Sequence, residues 1–189
     1  MMKINKDLNL VIPIEREDVT LYVHSVPIRR EVFEQYHAPL SRAFSALTEG
    51  GLNIVSCLAT ARLALRDAAM GMNKWEGEAG VQNGFFGEVR RMSTVLYPSD
   101  GGWQSILLAD AVKRDIIDDD ELAEVENIIV FFTLSARLFR KHQTPMMIQA
   151  LCSMGGLSTT SFSAMEYADS LSTSTEAGDT KEMASSIPS

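Results

Sequence analysis

The chain has 189 residues, 46% of them hydrophobic and 22% charged, which fits a globular protein with one core and excludes a fibrous or wholly low-complexity chain. Its 25 acidic and 17 basic residues leave a formal charge of -8, a balance that repels phosphate backbones and anionic lipid and argues against nucleic acid and membrane as partners. Cys57 and Cys152 lie far apart and form no CxxC motif, so they read as small buried hydrophobes in a reducing compartment. Met1 to Asn9 lacks the apolar stretch of a signal peptide, and an intracellular location is expected.

The first pattern is alternating. Leu8, Leu10, Ile12 and Ile14 alternate with Asn9, Val11 and Pro13, a polar turn follows at Glu15 to Asp18, and Val19 to Val23 is again rich in β-formers. This predicts a hairpin of about 8–14 with 19–25. Pro13 cannot donate to a ladder, so its strand should be an edge or end there. A lone hairpin is marginal in water, so this one should pack on helices or pair with another subunit.

From Arg29 the period becomes helical. Val32, Phe33, Tyr36, Leu40, Phe44 and Leu47 form one stripe, Gly50-Gly51 stops it, and Pro39 should kink or split the helix. Asn53 is a plausible cap for a second helix to about Met72, with Ile54, Leu58, Ala61, Leu65 and Ala68 on its buried side. A linker, Asn73 to Gly80, leads to a third predicted helix over about 81–97. Pro98-Ser99-Asp100-Gly101-Gly102 ends it, and a short helix is predicted over 104–114.

Asp118 and Glu121 have capping-box spacing, which opens a long helix over about 119–142. Its stretch from Ile128 to Phe139 is apolar nearly all round, so it should cross the core, yet it is shorter than the about 20 residues a bilayer span needs. Pro145 opens a last predicted helix, closed by Gly155-Gly156. Beyond it Ser, Thr, Ala and acids dominate. The sum is a mainly α fold: one domain over 1–170 with five to six helices and a small N-terminal hairpin, and a flexible tail over 171–189.

Chemistry is hard to assemble from these residues. His24, His37 and His142 have no metal-ligand spacing, and Asp118-Asp119-Asp120-Glu121 lacks the alternation of a calcium loop. Gly80, Gly84 and Gly87 are spaced loosely like a phosphate loop but without Lys-Ser or Lys-Thr, and read as a helix start made flexible by small residues. Glu34 and Glu88 stand as lone carboxylates. No enzyme, metal or cofactor is expected. The residues that stand out are adaptable apolar ones near segment ends: Met70, Met72, Trp75, Phe85, Phe86, Met146 and Met147. Methionine re-packs around varied targets, so these seven are the candidate partner-binding residues.

Three blocks carry a family resemblance: Val26 to Tyr36 (VPIRREVFEQY), Ala79 to Gly84 leading to Glu88-Val89-Arg90-Arg91, and Glu124 to Thr133 (EVENIIVFFT). With Thr159-Thr160-Ser161 and the Ser185-Ser186-Ile187-Pro188-Ser189 ending, the chain resembles a tail assembly chaperone of long-tailed bacteriophages. The resemblance implies a protein of the host cytoplasm that keeps the tape measure protein soluble and helps gather tail tube subunits on it. A structural tail or head-completion protein retained in the virion is the alternative. Self-association is expected as well, through the hairpin edge at Leu8 to Ile14.

Overall fold

The computed structural model describes residues 3–4, 9–49, 54–99, 102–138 and 158–159. The fold is α+β, a six-stranded sheet with helices packed on it. The mainly α expectation is overturned, because two segments expected to be helical contain strands.

The expected hairpin forms from β2 (Leu10–Glu15) and β3 (Thr20–Ser25), in the register Leu10 opposite Ser25 to Glu15 opposite Thr20. It lies inside a larger sheet. The strand β1 (Lys3–Ile4) pairs with Leu10 and Val11 of β2 on one side and, in parallel, with β6 (Ser158–Thr159) on the other. β2 is therefore no free edge over Leu10 and Val11, which corrects the expected self-association surface. Among the described residues no strand pairs with β2 on this side beyond Val11, where Pro13 lies and a residue without an N–H is tolerated.

On the other side β3 pairs antiparallel with β4 (Ser93–Ser99), which pairs with β5 (Gly102–Leu107) at the far end of the sheet. The predicted helix over 81–97 is thus replaced by a π-helical turn (Val81–Phe85), a short helix α4 (Phe86–Arg91) and β4. Of the helix predicted over 104–114, residues 108–113 are helical as α5 (Leu108–Lys113), and residues 104–107 belong instead to strand β5. Val89 and Leu96 are both buried and lie seven residues apart, a helical spacing, so the sequence continues the helix pattern into β4. The chain leaves α4 at Ser93, whose Oγ lies 2.8 Å from the Val89 carbonyl oxygen and 3.0 Å from Ser25 Oγ.

The helical layer follows its sequence signals more closely. The Arg29–Leu47 stripe splits at Tyr36 into α1 (Arg30–Gln35) and α2 (His37–Glu49), and Pro39 falls in the first turn of α2, where its missing N–H costs no helical bond. α3 (Ile54–Met70) packs between α2 and α6 (Asp119–Leu138). At the start of α6, Glu121 N–H donates to Asp118 Oδ1 at 2.8 Å and Asp118 N–H to Glu121 Oε2 at 3.1 Å, closing the expected capping box. Arg16, in the β2–β3 turn, grips the same Glu121 with two 2.6 Å bonds and donates to the Ile116 carbonyl at 2.7 Å. The hairpin tip is thereby tied to the helical layer.

α6 buries Leu122, Val125, Ile128, Ile129, Val130, Phe132 and Leu134, as expected of a helix crossing the core. Cys57 is buried too. No described helix is long and apolar enough to cross a membrane. The Asn53 cap, the end of the 119–142 helix, the helix after Pro145, Cys152, His142, the domain boundary at 170 and the 171–189 tail lie outside the described residues.

Candidate functional site

The charged side chains that enter the helical layer are neutralised there. Glu126 of α6 is 0% exposed, and it accepts from Arg62 Nε of α3 at 2.7 Å and from Arg90 Nη2 of α4 at 2.7 Å. Asn127 Oδ1 accepts the Arg62 backbone N–H at 2.8 Å, and the Arg62 guanidinium lies 5.7 Å from the Phe86 ring centroid. Glu88 of α4 is held in the same way by Arg29 Nε at 2.9 Å and Arg91 Nε at 2.7 Å. The bond from Arg91, with that from Arg29, outweighs burial and holds the Glu88 carboxyl below its ordinary range.

Each of these carboxylates accepts from two arginines. A general acid needs the opposite of the Glu88 perturbation, a carboxyl pushed up towards neutrality. Glu88 is therefore not the lone carboxylate expected, and Glu34 pairs with Arg30 at 2.7 Å on the surface of α1. Among the described residues no buried side-chain nitrogen or oxygen lacks a partner, and no cluster of three His, Cys, Asp or Glu could hold a metal. α4 is tied at both ends. Its Arg90 ties it to α6 while its Glu88 ties it to Arg29, just before α1.

The candidate contact residues divide sharply. Phe85 and Phe86 are core residues, with ring centroids 5.3 Å apart, Phe85 edge-on to Tyr36 and Phe86 edge-on to Trp75. They offer no surface, a correction to the expectation. The glycines before them are there for closeness and not for flexibility. A Cβ on Gly84 would strike the Tyr36 hydroxyl and one on Gly80 the Glu76 carbonyl oxygen, while the Tyr36 hydroxyl donates to the Ala79 carbonyl at 3.1 Å. Trp75 is half-buried beneath Arg66, whose guanidinium lies 5.8 Å from its ring. Met72 is half-buried and Met70 is 49% exposed. Met146 and Met147 lie outside the described residues.

The structure adds two apolar surfaces that the sequence reading missed. The first is the outer side of α3, where Ala59, Leu63 and Met70 are all exposed at helical spacing, with Arg66 and Asp67 between. Leu63 was the signal, an apolar residue off the buried stripe of Leu58, Ala61 and Leu65. The second is the sheet face turned away from the main core. Val11 and Leu96 form a separate small cluster there, packed on by Tyr22 and Trp103, whose rings lie 5.6 Å apart. His24 sits on this face opposite Val11 and Thr94, and burial pulls its ionisation below the usual value. Leu107, opposite Thr94, is 45% exposed.

No family model matches the chain, and no curated protein or solved structure matches it either.

Proposed function

We propose that the protein acts by holding other proteins during assembly, as a bacteriophage tail assembly chaperone of the host cytoplasm. Its client is the tape measure protein, which it keeps soluble and on which it helps gather tail tube subunits. The observation that carries this reading is the exposed apolar stripe of Ala59, Leu63 and Met70 on α3, flanked by Met72 and Trp75. A long helical client presents repeated apolar stripes before assembly, and a helix lying along such a surface covers them. Methionine at that surface tolerates successive, non-identical segments. The net charge of -8 keeps loaded complexes apart.

The test is co-expression with the tape measure protein, comparing the wild type with Leu63→Glu/Met70→Glu. Both positions are exposed, so the double variant should fold. The wild type is expected to bring the client into the soluble fraction and the variant to lose most of that effect. A client equally insoluble with and without the wild type overturns the reading. Mass spectrometry of purified particles should find the protein absent; stoichiometric presence would favour the retained tail or head-completion protein instead.

A further inference from the structure

The two ends of the sheet are built differently. At one end β2 carries Pro13, two residues beyond the Val11 that pairs with β1. Proline is a device that stops edge-to-edge pairing. The other end is β5, six residues long, which no described strand pairs on its outer side. Its sequence, Gly102-Trp103-Gln104-Ser105-Ile106-Leu107, contains no charge and no proline, and Gln104 and Ser105 are exposed. A row of unpaired N–H and C=O groups without these devices is a template for another strand.

We propose that β5 is an interaction edge whose occupant is β5 of a second copy, paired antiparallel about a two-fold axis. The strand's own pattern selects this partner. Directly opposed side chains lie on the same face, so a symmetric pairing must be centred on one residue. Centring on Ser105 sets Trp103 opposite Leu107 twice on the open face and Gln104 opposite Ile106 twice on the covered face. It thus covers the 45%-exposed Leu107 with an aromatic ring, a favourable cross-strand pair. Centring on Gln104 would instead waste Trp103 on Ser105. The pairing also carries the apolar cluster of Val11, Tyr22, Leu96 and Trp103 across the axis. Each copy has a formal charge of -8, and a charge-free strand is the place where two such chains meet without like charges opposed.

Sedimentation of the isolated full chain over a concentration series tests the proposal without any client, so its failure is separate from failure of the chaperone reading. The wild type should form a dimer that strengthens with added salt, which screens the mutual repulsion. Ser105→Lys sets two ammonium groups opposite each other and should weaken the dimer at least tenfold, with a melting temperature unchanged at concentrations where both proteins are monomeric. Under mild air oxidation Ser105→Cys should form a covalent dimer, whereas Gln104→Cys, and the wild type with its two native cysteines, should form little. A wild type that stays monomeric overturns the proposal. So does a dimer that survives Ser105→Lys unchanged, or one in which Ser105→Cys crosslinks no better than Gln104→Cys.

Discussion

On the covered face of the sheet Val23 and Val95 are opposed across β3 and β4, and neither touches solvent. One residue along, on the open face, Tyr22 is opposed to Leu96 and stays half-exposed, with Trp103 packed beside it. The same strands make both faces, and among the described residues the helices pack on the side of Val23 and Val95. An antiparallel sheet with one solvated face ordinarily turns polar residues outward. Here the outward set includes Val11, Pro13, Tyr22, Leu96, Trp103 and Leu107. Of these, Val11 and Leu96 are buried in a small cluster of their own, so the apolar surface left accessible on this face is that of Leu107 and, in part, of Pro13, Tyr22 and Trp103.

The comparison can be broken first by truncation. Phe85, 0% exposed beneath Tyr36 and Phe86, should cost about 3 to 5 kcal/mol on Phe85→Ala, read from denaturant midpoints. Trp103→Ala, on the open face, should cost less than half as much. Equal losses would mean that the open face is core. Asp118→Ala breaks the capping box that also anchors the hairpin through Glu121 and Arg16, and should cost about 0.5 to 2 kcal/mol. Met70→Ser, on the exposed stripe, should change stability by less than about 0.5 kcal/mol while impairing client solubility. A large stability loss there would make Met70 structural.

Acid sharpens the same contrast. Glu88 and Glu121 have carboxyls lowered from the ordinary 4.5, the first chiefly by its bond from Arg91 and the second by its bond from Arg16. Their contribution is complete above the unfolded value and is lost as pH falls below 4.5 through the lowered folded values. His24 is lowered from 6.5 by burial, so its neutral ring must be charged on the open face as pH falls. That loss begins below 6.5. Melting temperature against pH should therefore show a shallow decline below 6.5 and a further one below 4.5, and His24→Gln should remove only the upper. An unchanged upper decline would assign it to another group.

Features signalled by a few adjacent residues were legible. The alternation around Leu10 to Val23 gave the hairpin, Pro39 the split between α1 and α2, and Asp118 with Glu121 the start of α6. The second half of the sheet was not legible, because Val89 and Leu96 keep a helical spacing while Val95 and Tyr97 alternate as in a strand, and a short apolar run cannot choose between them. The Asp100-Gly101 pair between β4 and β5 is a hairpin signal, but beside Pro98 it reads as a helix stop. The contact residues failed for a different reason. Phe85 and Phe86 lie near a segment end in the chain, and only the close approach of Gly84 to Tyr36 shows that this end turns inward.

The pairing of β3 with β4 joins strands between which the chain builds α1, α2, α3 and α4. On an emerging polypeptide the hairpin is complete long before its neighbour in the sheet has been synthesised. Until β4 arrives, the side of β3 bearing Tyr22 and Val23 has no strand to pair with, and closing so long a loop is slow. The interval is a period of vulnerability to mispairing with other nascent chains. A pause in synthesis before β4 has emerged from the ribosome would lengthen that period, and one after its emergence would not.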